Sequence, residues 1–221
     1  MTKKIPPILY ALLISVLFVT CDHATINENE NSQMVLIGEK NFVTGYEPLN
    51  DDGDLNVVIE IPTGTNAKWE VDKTSGNMAW EIIDGVPRVV NYLGYPGNYG
   101  MLPKTILPKE EGGDGDPLDV LVLGPAVERG SVVKCKLIGI LKLLDRGEQD
   151  DKLIAVGENS PLYPINSIEE LEREYVGIKE IVSIWFGNYK GPDKMEVIGY
   201  EDKESAMKVV QKAIDAFQIN K

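Results

Sequence analysis

Three carboxylates crowd into the segment Gly113-Asp114-Gly115-Asp116-Pro117-Leu118-Asp119, which leads directly into an apolar stretch. Like charges held so close repel unless something neutralises them, so the cluster points to bound cations; a bare acidic turn, which Asp and Gly favour for backbone reasons alone, is the alternative. The segment is not an EF-hand. That loop needs oxygen ligands at alternate positions, a central Gly and a late Glu, whereas Pro117 and the strand from Leu118 interrupt the pattern. A second acidic cluster, Asp145 to Lys152 (DRGEQDDK), follows another apolar stretch and again combines carboxylates with a Lys. Glu60 stands between Ile59 and Ile61, where a period of two sets its carboxylate opposite an apolar face, and Lys68 and Glu70 share a strand face soon after it. A Lys and carboxylates on one wall can hold both a phosphate and its metal ion, with cross-strand pairing on a solvated face as the alternative.

Residues this far apart in sequence need a scaffold that gathers them. Leu55 to Ile61, Lys68 to Val71, Leu118 to Leu123, Val132 to Leu144 and Leu153 to Val156 are short, rich in β-branched residues and separated by Gly, Pro, Asn and Asp. That spacing reads as strands of a small barrel, and two acidic clusters at its strand ends can face one cavity. Beyond residue 160 the period becomes helical: Ser167-Ile168-Glu169-Glu170 is a capping-box pattern, and Ile178, Ile181, Val182 and Trp185 follow at helical spacing. Asp202 can cap a last helix whose Met207, Val210, Ile214 and Phe217 form an apolar stripe suited to core packing. Ahead of the strands, Val35-Leu36-Ile37 is a candidate short strand, Asn50 to Asp54 a turn, and the folded domain is expected to begin near Thr44.

With 221 residues, 43% of them hydrophobic, the chain can bury one substantial core. The formal charge of −13, from 35 Asp and Glu against 22 Lys and Arg, argues against nucleic acid as a partner and for bound cations. One His, His23, and two Cys, Cys21 and Cys135, leave no zinc site built on His and Cys, so any metal must be held by hard oxygen ligands. Cys135, in an alternating stretch, reads as a buried strand residue. Lys3 and Lys4 precede an apolar run from Ile8 to Val19, too short for the roughly 20 residues of a spanning helix but suited to an export signal. The run ends in Leu17-Phe18-Val19-Thr20-Cys21, which resembles a bacterial lipoprotein signal. Residues 1–21 are therefore read as an export signal, with Cys21 the lipidated anchor at a membrane of the bacterial cell envelope, and residues 22–43 as a polar tether and N-terminal extension. Cleavage without lipidation, an uncleaved anchor, and an ordinary thiol at Cys21 are the alternatives.

From about Thr44 to the C-terminus the chain resembles family I inorganic pyrophosphatases. The signature Asp-x-Asp-Pro-hydrophobic-Asp is present as Asp114 to Asp119, and the segments VVIEIP, NAKWEVDK, YPGNYG and NYKG occur in the family's order. The resemblance implies an α+β fold, mainly β, with a five-stranded barrel of OB type and helices packed outside, over residues 44–221. It implies hydrolysis of pyrophosphate to two phosphates by metal-activated water, with several Mg²⁺ ions per site and Mn²⁺ as a substitute. It also implies a homo-oligomer, in a family that usually works in the cytoplasm.

Carried over position by position, the resemblance gives Asp114, Asp119 and Asp150 to the tightest metal, with Asp119 bridging to a second ion and Asp145 with Asp150 holding further metal that arrives with substrate. Glu60 and Glu70 act mainly through metal-bound water, and Asp116 is the general base. Lys68, Arg88, Tyr99, Lys152, Tyr189 and Lys190 are similar to the family's phosphate contacts, with Tyr95 a further candidate. Seven site carboxylates against four site cations leave three negative charges uncompensated, so a polyanion is repelled until divalent ions reverse the sign. Two positions depart from the common pattern. Arg146 replaces an acidic side chain in the second cluster, and the interval between Arg88 and Tyr95 differs by a residue, so Arg88 is assigned through a loop adjustment. A lipoprotein that keeps the barrel as a binding module without turnover is the competing reading; retention of every candidate ligand favours the enzyme. An OB barrel for single-stranded nucleic acid would need a basic groove, which the charge disfavours.

Overall fold

Continuous apolar stretches such as Val120–Leu123 and Leu153–Val156 are buried on both faces, and the computed structural model, which describes residues 34–108, 113 and 115–219, shows what covers each face. The expected export signal, Cys21, the tether as far as residue 33, and Asp114 lie outside the described residues. The strands are β1 (Val35–Leu36), β2 (Leu55–Ile61), β3 (Trp69–Val71), β4 (Met78–Trp80), β5 (Ile82–Ile83), β6 (Val86–Pro87), β7 (Asn98–Met101), β8 (Asp119–Leu123), β9 (Val132–Asp145), β10 (Glu148–Gln149), β11 (Lys152–Gly157) and β12 (Met195–Glu201). Helices α1 (Ile168–Glu174) and α2 (Ile178–Asn188) precede β12, and α3 (Lys203–Ile219) follows it.

Five strands hydrogen-bond in a ring. β2 pairs with β7 and β7 with β8, both antiparallel; β8 and β11 run parallel; β11 and β2 both pair antiparallel with β9. The 14 residues of β9 let it reach β2 at one end and β10 and β12 at the other. Alternate residues then enter different clusters. Leu121, Leu123, Ile154 and Val156 pack with Trp185 and Phe186 of α2, while Val120, Val122, Leu153 and Ala155 pack with Ala206, Val210 and Ala213 of α3. This is the mainly β fold with outer helices that the sequence implied, but its fifth strand is not the expected one. Lys68–Val71 contributes β3 to a separate sheet of order β1-β4-β3, and the barrel instead uses β7, from YPGNYG. At Gly100 a Cβ would lie 1.9 Å from the Val58 carbonyl oxygen, so glycine lets β7 approach β2. A two-sided buried strand containing Asn and Gly has no alternation to read.

Ahead of the expected domain start near Thr44, β1 pairs with β4, and Phe42 and Val43 are buried with Trp69, Met78 and Met101. Helix starts follow the sequence signals: the Ser167 hydroxyl accepts the Glu170 N–H at 3.2 Å, and Asp202 accepts the Ser205 N–H at 2.8 Å. The Glu170 carboxylate reaches back one residue further than a capping box requires, to the Asn166 N–H. Cys135 is buried and free. Among the described residues no helix is long and apolar enough to cross a membrane.

Candidate active site

The barrel register brings charges together that the sequence keeps apart. Leu153 of β11 lies opposite Val120 of β8, so the residue before each, Lys152 and Asp119, start their strands side by side. Lys152 Nζ donates to Asp119 at 2.6 Å and to Asp150 at 2.7 Å, and only 1% of its side chain is exposed. From Asp150 the series continues to Lys190, 3.7 Å away, which also pairs with Asp145 at 2.8 Å. Burial works against the Lys152 ammonium, but Asp119 and Asp150 outweigh it and hold its pKa above the usual value. Asp119, despite its own burial, is held below the usual carboxylate range by Lys152, by Lys68 and by a hydrogen bond from Tyr99. Asp145 is likewise lowered, burial being overcome by Lys190 and Arg146.

On one side of this series an acidic cleft is lined by Glu60, Lys68, Glu70, Lys73, Asp116 and Asp119. Lys68 pairs with Glu70 at 2.5 Å, and Lys73 with Asp116. Glu60 sits at a β-bulge, where the pairing of β2 with β7 shifts between Ile59 and Ile61. The expectation that Glu60 faces away from an apolar side needs correction, because both faces of β2 are covered and Glu60 is only 5% exposed. Its carboxylate accepts the Val71 N–H at 2.8 Å, and burial pushes its pKa up to about 8 against the pull of Lys68.

On the other side a basic cavity is lined by Arg88, Asn91, Asp145, Arg146, Tyr189, Lys190 and Lys194, among others. Arg88 is held by Glu81 at 2.7 Å, and Tyr189 is stacked on Trp185, ring centroids 4.7 Å apart. Tyr95 and Tyr99, buried between cavity and cleft, have hydroxyls whose pKa burial raises above the usual value. The site is thus two-ended. Four carboxylates and two lysines line the acidic cleft, while four cations and one carboxylate line the basic cavity.

Of the residues singled out from sequence, Glu60, Lys68, Glu70, Asp116 and Asp119 share the cleft, and Arg88, Asp145, Tyr189 and Lys190 share the cavity. Tyr99, Lys152 and Asp150 link the two. Sequence reasoning missed Lys73, in the same WEVDK stretch as Glu70, and Lys194, which no motif marks. The donor set suits a hard divalent cation. All its ligand atoms are carboxylate oxygens, and Asp145 Oδ1 is buried without a hydrogen-bond partner among the described residues. Lysine nitrogens keep the carboxylates apart, and among the described residues no three acidic groups converge on one point.

Known proteins resemble this chain over most of its length. The profile of the family described as inorganic pyrophosphatase matches residues 57–218. An inorganic pyrophosphatase of Helicobacter pylori is 39% identical over 179 residues, covering 78% of this chain and 96% of the relative. Another, from Gluconobacter oxydans, is 37% identical over 74% of this chain and 91% of its own. Among solved structures, inorganic pyrophosphatase from Helicobacter pylori aligns with a TM-score of 0.66 at 38% identity, over 78% of this chain and 98% of that one. A vacuolar soluble pyrophosphatase of Trypanosoma cruzi, truncated of its N-terminal domain and in complex with PPi, aligns with a TM-score of 0.70 at 27% identity, over 83% and 73% of the two chains.

Proposed function

The chain belongs to the inorganic pyrophosphatase family, metal-dependent hydrolases of pyrophosphate, and from that premise we propose that its two-ended site divides the work between a metal-holding acidic cleft and a phosphate-holding basic cavity. The observation that carries this division is the series Asp119–Lys152–Asp150–Lys190–Asp145, half-buried about the fully buried Lys152, which joins the two ends. Asp114, Asp119, Asp145 and Asp150 hold the divalent ions directly, and Glu60 and Glu70 through water; the all-oxygen donors suit Mg²⁺, with Mn²⁺ as a substitute. Once bound, the ions supply positive charge to the phosphate oxygens and make water more acidic.

Asp116, half-exposed at the cleft, takes the proton from the attacking water. Lys68, Arg88, Tyr189 and Lys190 bind the phosphate oxygens and offset the charge that gathers on the departing phosphate. Lys152 spends two of its three N–H groups on Asp119 and Asp150, leaving the third for a phosphate oxygen. The Tyr99 hydroxyl, donating to Asp119, fixes that carboxylate and orients the substrate beside it. The test is phosphate release from pyrophosphate by the purified chain with Mg²⁺ and with EDTA, beside Asp116→Asn. Metal-dependent release by the parent and its loss in the variant are expected; full activity in Asp116→Asn would remove Asp116 from the role of base.

We further propose that the chain is exported and lipidated at Cys21, and that it recovers phosphate from pyrophosphate in the cell envelope. Lys3, Lys4, the apolar run Ile8–Val19 and the cysteine directly after it support this reading. Unprocessed protein found only in the cytosol on fractionation would rule it out. Self-association belongs to the same proposal, supported by Ile181 and Ile184, 59% and 61% exposed and one turn apart on α2, and sedimentation of the purified chain tests it.

A further inference from the structure

We propose that Arg146 and Lys194 form a subsite for a third phosphate at the rim of the basic cavity, so that the chain takes linear triphosphates as well as pyrophosphate. The cavity, of about 440 Å³, offers more positive charge than its neighbours compensate. Arg88 is matched by Glu81, and Lys190 by Asp145 and Asp150. The side chains of Arg146 and Lys194 make no hydrogen bond or ion pair among the described residues, and both residues are exposed. They are nevertheless built into one place, since the Arg146 N–H donates to the Lys194 carbonyl at 2.8 Å.

The backbone at Arg146 is also unusual. Arg146 and Gly147, with φ of +52° and +89°, form the two-residue turn between β9 and β10, and both positions are left-handed. Asn, Asp or Gly normally occupies the first of these positions, because a long side chain gains nothing there from its own backbone. Arg146, whose charge also bears on Asp145, and Lys194 line the same cavity as the phosphate-holding Arg88, Tyr189 and Lys190, which puts both at the next position of a longer phosphate chain.

This inference rests on the reading of the cavity as the phosphate-holding end. With a triphosphate, the water oxygen bonds to the terminal phosphorus at the acidic end and the bridging P–O bond breaks. Its electron pair stays on the departing pyrophosphate, and the two protons of water end one on each product. Hydrolysis of pyrophosphate, linear tripolyphosphate and ATP is compared, with Mg²⁺, for the full chain, Arg146→Ala and Lys194→Ala. Binding is read by calorimetry with methylene-bridged analogues of pyrophosphate and tripolyphosphate, which cannot be hydrolysed. Each variant is expected to lower the ratio of tripolyphosphate to pyrophosphate kcat/KM by about tenfold, the worth of one modest charge-assisted contact, and the ratio of analogue affinities by the same factor. A parent that cleaves pyrophosphate but neither cleaves tripolyphosphate nor binds its analogue more tightly, or variants that lose both substrates in proportion, would overturn the subsite and leave pyrophosphate hydrolysis standing. If pyrophosphate itself is not cleaved, the functional reading fails and the analogue affinities still decide the subsite. The same Arg146 dependence with ATP identifies nucleoside triphosphates as a source of the third phosphate; dependence confined to tripolyphosphate identifies inorganic polyphosphate.

Discussion

Replacing Glu60 with Gln should make the metal-free protein more stable at neutral pH than the parent, with the gain growing as pH rises. Glu60 is buried at the β2 bulge and its pKa is pushed up to about 8, against 4.5 for the ordinary side chain. Between those values the folded protein holds a proton that the unfolded chain has released. The associated stability is therefore fully present below pH 4.5 and is lost as pH climbs through 8. At about 1.36 kcal/mol per pH unit, the loss from pH 5.5 to pH 7.5 is about 2.5 kcal/mol. Gln keeps an oxygen for the Val71 N–H but does not titrate. Urea unfolding in EDTA at the two pH values, for parent and variant, isolates the difference, because titrations elsewhere are common to both. Parallel stability curves for the two proteins would refute the reasoning and would mean that Glu60 is ionised throughout, compensated by Lys68.

Removing Lys152 as Lys152→Met leaves Asp119 and Asp150 without their shared buried partner, so a loss of about 3–5 kcal/mol is expected by urea unfolding in EDTA. Divalent ions should recover part of that loss, read as a larger metal-induced rise in Tm than the parent shows. Gly100→Ala places a Cβ against the Val58 carbonyl and separates β7 from β2; a loss of about 3 kcal/mol or more, with a broadened thermal transition, is expected. Arg146→Asn suits the left-handed turn better than Arg and should raise stability by about 0.5–1 kcal/mol, measured by thermal unfolding.

Four of the barrel strands were legible because their β-branched runs are bounded by turn residues, and the starts of α1 and α3 were legible because Ser167 and Asp202 are the caps that the chemistry requires. Strand β7 was not, since Asn98 spends its side chain on Thr63, Val127 and Pro125, and Gly100 has no side chain to alternate. The candidate site was readable as a set of residue types but not as two ends. That Asp145 and Arg88 meet in one cavity while Asp116 and Glu70 meet in another depends on pairing between distant strands, which local pattern cannot carry. The short strand at Val35–Leu36 was legible, but the burial of Phe42 and Val43 was not, because only the distant partners Trp69, Met78 and Met101 reveal it.

Strand β9 has a consequence for how the molecule comes into being. Its pairing with β2 joins Leu55 to Cys135, 80 residues apart, while its pairing with β11 joins near neighbours across a tight connection. The short-range ribbon of β9, β10 and β11 can form early, with Asp145, Asp150 and Lys152 already on it, whereas the seam with β2 must wait for a large loop to close. Glu60 and the acidic cleft arrive only with that seam. During refolding, a probe at the basic end should therefore report structure before one at the acidic end, and the capacity to retain a cation should appear with the slowest phase.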